Sequence, residues 1–97
     1  MQYSIVPSRQ ALGELARLTP AAKTLIERKL CEASQNPFRN KRLHLADHPT
    51  FRIRFSDNSK ELRLVYFVEK DALFIVGIFE RKRAYADLLP RMKRLSF

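Results

Sequence analysis

The sequence predicts an α+β fold in which a helical hairpin packs on one face of a small, mainly antiparallel sheet. Over the first 35 residues, after a short strand, apolar residues recur at the spacing of amphipathic helices, whereas from residue 51 they alternate with basic ones as in a strand. Turns of hairpin length separate the later strands, which favours antiparallel neighbours. The predicted order is β-α-α-β-β-β with a short C-terminal helix, in a single domain over residues 1–97.

The first half begins with a predicted strand over residues 3–7, followed by helices over 9–18 and from 20 to about 34. The boundaries come from residues that cap, start or break helices: Ser8, Thr19, Pro20 and the pair Asn36-Pro37. Because the link between the helices is short, they are expected to form an antiparallel hairpin. The helices would cover one face of the sheet and leave the opposite face exposed.

The second half begins with residues 36–50, which are expected to form a loop. The segments FRIRF (51–55), LRLVYFV (62–68) and LFIVGIF (73–79) are predicted strands, and the last and most apolar is expected to be central. The linking segments SDNSKE and EKDA are predicted turns, the first of them a long one.

Charge is the most informative feature of the composition. Lys and Arg number 19 against 10 Asp and Glu, which gives a net charge of +9. Such an excess favours a polyanionic partner, either a nucleic acid or an acidic protein. No apolar run approaches the roughly 18 residues of a membrane span, no secretory signal is evident, and a lone Cys31 excludes an internal disulfide. A cytoplasmic protein without a membrane partner is therefore expected.

The basic residues of the strands are predicted to converge. Arg52 and Arg54 are two residues apart on one strand, so they share a face, and Arg63 lies on the next strand. Arg81 and Arg83 follow the last strand. Like charges on one face repel each other, whereas a phosphate backbone would neutralise them and be gripped by the guanidinium forks. Further candidates for phosphate contacts are Lys41, Arg42 and Lys82; plain surface charge is the alternative for all of them.

Other catalytic patterns are weak. His44 and His48 have no third ligand that would complete a zinc site, no Gly-rich phosphate loop is present, and no serine has evident His–carboxylate support. Neither a metal nor a cofactor is expected. Tyr85 has three possible roles: it could stack on a base, act as a general base if nearby cations lower its pKa, or pack on the sheet.

Taken together, these segments resemble the RelE/ParE superfamily of toxins from type II toxin–antitoxin modules. The resemblance covers nearly the whole chain: the first strand, the helical hairpin that ends in NP, the two strands FRIRF and LRLVYFV, and the arginine-rich end of the last strand. The segment RLVY, Arg63 to Tyr66, is the most specific local match.

The resemblance implies a metal-independent endoribonuclease. The RelE branch cleaves messenger RNA in the ribosomal A site by activating a ribose 2′-hydroxyl, which attacks the neighbouring phosphate. The positions that match the family's site are Arg52, Arg54, Arg63, Arg81 and Tyr85, with Arg83 as an added candidate. The first two replace the lysines of the best-known RelE toxins, and arginine is a poor general base. The resemblance therefore implies a phosphate clamp by Arg52 and Arg54, Tyr85 as the base, and Arg81 beside the leaving 5′-oxygen.

Two alternatives stay open. A ParE-like toxin would bind and inhibit DNA gyrase without nuclease activity, and a degenerate module would bind only its antitoxin or operator DNA. Either toxin reading implies an acidic antitoxin as partner, which would wrap the basic face or displace the C-terminal segment around residues 88–95. The ribonuclease reading adds messenger RNA and the ribosome as partners.

Overall fold

The structure, a computed structural model, describes residues 2–44 and 48–97, except for the side chains of Ala84 and Tyr85. It contains β1 (Ser4–Pro7), α1 (Arg9–Ala16), α2 (Pro20–Gln35), β2 (Lys41–Leu43), β3 (Thr50–Asp57), β4 (Lys60–Glu69), β5 (Ala72–Glu80), a 3-10 turn (Arg81–Arg83) and α3 (Ala84–Met92). None of these helices is both long and apolar enough to span a membrane.

The strands form a five-stranded sheet in the order β1-β5-β4-β3-β2. The pairs from β5 through β2 are antiparallel, and β1 pairs in parallel with β5. The α+β prediction is confirmed. β5 is an interior strand as expected, but β4, its neighbour, occupies the centre of the sheet.

Two local predictions are wrong. The segment 36–50, expected to be a loop, contains the edge strand β2, whose three residues pair with β3. So short and basic a strand lacks the alternation that identifies β3, and short charged strands are common at sheet edges. The long turn expected over 56–61 is a two-residue turn, Asn58-Ser59, because both residues adopt positive φ (49° and 63°) and let the strands continue on either side.

The helix starts agree with the sequence. Ser8 is fully buried; its Oγ accepts from the backbone N–H of Ala11 at 3.0 Å and donates to the Val76 carbonyl at 2.9 Å. Thr19 caps α2 and also donates its hydroxyl to Asp57 Oδ1 at 2.8 Å. The two caps therefore satisfy helix N–H groups and also fasten each helix to the sheet.

Both faces of the sheet are packed, although only one was expected to be. The helices α1 and α2 cover one face, where the alternating residues Phe51, Ile53 and Phe55 are buried. On the other face, a second cluster forms beneath α3 and the chain after it: Leu43, Val65, Phe67, Val76, Phe79 and Leu88. The open part of that face is thus confined to the end of the sheet near the β3–β4 turn.

Tyr66 is the largest of the fully buried side chains. It lies on β4 under α2, where its hydroxyl donates to the Pro37 carbonyl at 2.6 Å and accepts from Asn40 Nδ2 at 3.0 Å. Burial raises the pKa of this phenol to about 12, so it stays protonated and able to donate at neutral pH. The side chain therefore fixes the segment that joins α2 to β2.

We expect Tyr66→Phe to lower the free energy of unfolding by about 1 to 3 kcal/mol, because the buried Pro37 carbonyl loses its donor. Urea denaturation measures the change, and Tyr3→Phe, at a half-buried tyrosine, is the matched control. Equal effects of the two variants would contradict the role given to the Tyr66 hydroxyl. The phenol's contribution should also fade above its unfolded pKa of about 10, because the unfolded chain ionises first.

We expect Ser59→Gly to stabilise the protein by roughly 0.5 kcal/mol. Ser59 has φ 63° in the β3–β4 turn, a conformation that glycine adopts without steric cost. Ser56→Gly, within β3, is the control and should be destabilising, since glycine weakens a strand interior. A lower urea midpoint for Ser59→Gly would show that Ser59 does not adopt a positive φ in this turn.

Candidate functional site: an arginine-lined pocket

The register of β3 against β4 brings the predicted arginines together. Arg54 lies directly opposite Arg63, and Arg52 lies opposite Val65, two pairs further along and on the same face. All three point away from α1 and α2, because their neighbours Phe51, Ile53 and Leu64 fill the helix-side core. Since directly opposite residues have their Cβ atoms about 5 Å apart, the side chains of Arg54 and Arg63 leave the sheet side by side.

Arg81 completes this group from the turn that follows β5. Together with Arg54 and Arg63 it lines a depression of about 180 Å³, called here the arginine pocket. Its other lining residues are Phe55, Ser56, Glu61 and Leu62. A wider depression of about 740 Å³ adjoins it and shares Glu61, Arg63 and Arg81. Of the five arginines predicted to converge, three from three different elements line this pocket, whereas Arg52 and Arg83 do not.

Glu61 is the site residue that the sequence analysis missed. It was assigned to a turn, but it lies on β4, where alternation places it on the same face as Arg63. Its Oε2 accepts a hydrogen bond from Arg81 Nη1 at 2.6 Å. This bond and the charge of Arg81, followed by the charges of Arg54 and Arg63, hold the pKa of the Glu61 carboxyl below its ordinary value. The i, i+2 spacing in the segment ELR is the signal that could have identified it.

The other predicted phosphate contacts lie around the pocket at different positions. Lys41 on β2 is opposite Arg52, so it extends the cationic row across the same face. Arg42 is opposite Phe51 and therefore lies on the other face, away from the pocket. Arg52 is half-buried, whereas Arg54 is exposed. The row therefore runs from Lys41 and Arg52 towards Arg54, Arg63 and Arg81.

The segment after β5 adds exposed positive charge. Lys82 lines the wider depression, and Arg83 lies 3.6 Å from Asp87 through its Nε, one helical turn on. Among the described side chains, that of the N-cap residue Arg83 makes no capping hydrogen bond at the start of α3. Tyr85 lies in the first turn of α3, but its side chain is outside the described part of the chain, so its predicted role stays a prediction.

A clamp at Gly77 holds α3 over the rest of this face. Arg91 of α3 stacks over the Phe79 ring at 4.8 Å and donates to Glu14 Oε1 of α1 at 2.7 Å. The same carboxylate oxygen accepts from the Ile78 backbone N–H at 3.0 Å. A Cβ at Gly77 would overlap both Arg91 and Glu14, so glycine is required for this close approach. The clamp therefore links α3 to both α1 and β5.

Comparison with solved structures identifies a RelE-like fold. A double arginine-to-alanine mutant of the E. coli toxin RelE, in the free state, matches with a TM-score of 0.77 at 23% identity, over 94% of this chain and 98% of that one. The intact E. coli RelBE toxin–antitoxin complex matches with a TM-score of 0.67 at 26% identity, over 78% and 93% of the two chains. The Mycobacterium tuberculosis RelBE2 complex gives 0.62 at 23% identity, over 84% and 100%.

No family model and no curated protein sequence matches the chain. The fold shared with these solved structures confirms the resemblance inferred from the segments FRIRF and LRLVYFV.

Across residues 2–44 and 48–97, His, Cys, Asp and Glu side chains form no group of three or more that could hold a metal ion.

We expect Arg81→Ala to raise the pKa of Glu61 towards its ordinary value of 4.5, because Arg81 is the largest cause of the lowering. Carbon-detected NMR titration of the side-chain carboxyl measures the change. Arg83→Ala is the matched control, since Arg83 pairs with Asp87 instead. An unchanged Glu61 pKa in Arg81→Ala would show that the ion pair does not form in solution.

Proposed function

We propose that this protein is the toxin of a type II toxin–antitoxin module and acts as a ribosome-dependent messenger RNA endoribonuclease. The observation that carries the proposal is the convergence of Arg54, Arg63 and Arg81 on one pocket of a RelE-like fold. Arg54 and Arg63 lie directly opposite each other, and like charges in that position destabilise a sheet. A bound phosphodiester would offset that cost.

In the proposed reaction the ribose 2′-oxygen attacks the adjacent phosphorus as the bond from phosphorus to the 5′-oxygen breaks. Arg54 and Arg63 bind the non-bridging oxygens, where charge develops in the phosphorane, and Arg81 lies beside the leaving 5′-oxygen. Fixed guanidinium donors suit this task because they stay charged and need not reorganise during the reaction. The products are a 2′,3′-cyclic phosphate and a 5′-hydroxyl.

The cations on either side of the arginine pocket would bind neighbouring phosphates of the RNA. Lys41 and Arg52 extend the pocket in one direction, and Lys82 and Arg83 extend it in the other. Such contacts give affinity without reading sequence, and binding should weaken as the salt concentration rises. Tyr85 remains a proposed base or stacking residue on the strength of the family resemblance.

The proposed partner in the resting state is a cognate acidic antitoxin. Two of the matching structures are toxin–antitoxin complexes, from E. coli and M. tuberculosis. The net charge of +9 would accelerate association with an acidic chain. An antitoxin laid over the arginine pocket would exclude RNA by occupying the same guanidinium groups. Contact with operator DNA would come through the antitoxin.

We expect brief induction of the protein to produce discrete cuts within translated codons of a reporter transcript, read by primer extension. Arg81→Ala should reduce cutting by roughly 100-fold or more, in the range found when one transition-state donor is removed. Arg28→Ala is the matched control, because Arg28 is an exposed cation on α2 that pairs with Glu32.

Intact transcripts together with growth arrest in both the wild type and Arg81→Ala would contradict the ribonuclease proposal. That result would favour the ParE-like alternative, in which replication stops before translation and purified gyrase is inhibited. Cutting that is equal in the wild type and Arg81→Ala would leave the ribonuclease but remove Arg81 from its site.

A further inference from the structure

The proposed reaction needs a group that takes the proton from the attacking 2′-hydroxyl. The three arginines of the pocket cannot do this, because a guanidinium is already protonated and has no acceptor site. The resemblance to RelE toxins suggests Tyr85. The pocket itself offers a different group, the carboxylate of Glu61. A role for Glu61 in this reaction rests on the proposed function.

Glu61 is the carboxylate that lines the arginine pocket in the described part of the chain. It faces Arg54 from β3, Arg63 from its own strand and Arg81 from the turn after β5. The adjoining depression adds Lys60, Glu80 and Lys82 to its charged surroundings. Its side chain is 58% exposed, so a substrate bound by the arginines can reach its oxygens.

We propose that Glu61 is the general base that accepts the 2′-hydroxyl proton during cleavage. A phosphate held by Arg54 and Arg63 lies beside Glu61, and the 2′-hydroxyl is attached to the ribose next to that phosphate. The hydrogen bond of 2.6 Å from Arg81 uses Oε2 and leaves Oε1 for the substrate hydroxyl. Arg81 donates to Glu61 through Nη1, and its other guanidinium N–H groups are the ones that would face the phosphorane and the leaving 5′-oxygen.

The step balances without a further reactant. The proton moves from the 2′-oxygen to a Glu61 oxygen as the bond between the 2′-oxygen and phosphorus forms. The bond from phosphorus to the 5′-oxygen then breaks, and the 5′-oxygen takes a proton from water. Glu61 returns its own proton to solvent before the next turnover, so the carboxylate is regenerated.

The surroundings of Glu61 determine the pH dependence. Three cations lower its pKa, so it is ionised throughout the neutral range. A group with a lowered pKa is active above that pKa and loses activity only when acid protonates it. The wild-type rate should therefore be nearly flat between about pH 6 and pH 9, the range in which ribosomes can be assayed.

The test is single-turnover cleavage of a ribosome-bound message by Glu61→Gln across that pH range. We expect the rate at neutral pH to fall by about 100-fold to 10,000-fold, as when a general base is removed. The residual rate should rise tenfold per pH unit, because hydroxide replaces the carboxylate. Binding of a message that carries a 2′-O-methyl group at the cleavage site should be unchanged or tighter, since a negative charge has left the phosphate site.

Two variants serve as comparisons. Glu32→Gln removes an exposed, ion-paired glutamate on α2 and should cleave as the wild type does. Tyr85→Phe tests the other candidate base and should keep the flat pH profile.

Four results would overturn the proposal. A Glu61→Gln rate within a few-fold of wild type, with a flat profile, would show that Glu61 only balances charge. If Glu61→Gln lost binding of the 2′-O-methyl message in parallel with the cleavage rate, Glu61 would only position Arg81. A tenfold rise per pH unit in Tyr85→Phe, absent from Glu61→Gln, would assign the base to Tyr85. If the wild type does not cut at all, the ribonuclease proposal fails and this one with it.

Discussion

The antiparallel register between β3 and β4 is the constraint on which the rest of the structure depends. A two-residue turn at Asn58-Ser59 sets it, and the alternation of apolar and basic residues in β3 disfavours a shift by one residue, which would bury Arg52 and Arg54. The same register that completes the helix-side core also places Arg54 against Arg63. The face that carries the arginines is therefore a direct consequence of how the core is built.

The opposite end of that face is closed by α3. Arg91 passes beside Gly77 to reach Glu14, so the last helix is tied to the first one next to β5. Leu88 of α3 and Phe79 of β5 are buried between the helix and the sheet. The arginines of β3, β4 and the turn after β5 line a pocket of about 180 Å³ beyond this packed region.

The sequence predicts most of this architecture because the strands with clear alternation and the helices with clear caps are the ones that form the core. It fails at β2, since three basic residues at an edge carry no periodic signal. It fails at Glu61, since the extent of a turn depends on backbone conformation at Asn58 and Ser59. The arginines could be predicted because strand alternation alone gives their common face, whereas Arg42 required the pairing of β2 to be known.

Binding of RNA phosphate at the arginine pocket can be tested by NMR titration of the arginine Nε–H signals with a short 2′-O-methyl RNA at low salt. We expect the signals of Arg54, Arg63 and Arg81 to shift together, and that of Arg28 on α2 to stay in place. Shifts centred on α2, or none on the three pocket arginines while RNA binds, would contradict binding at this pocket.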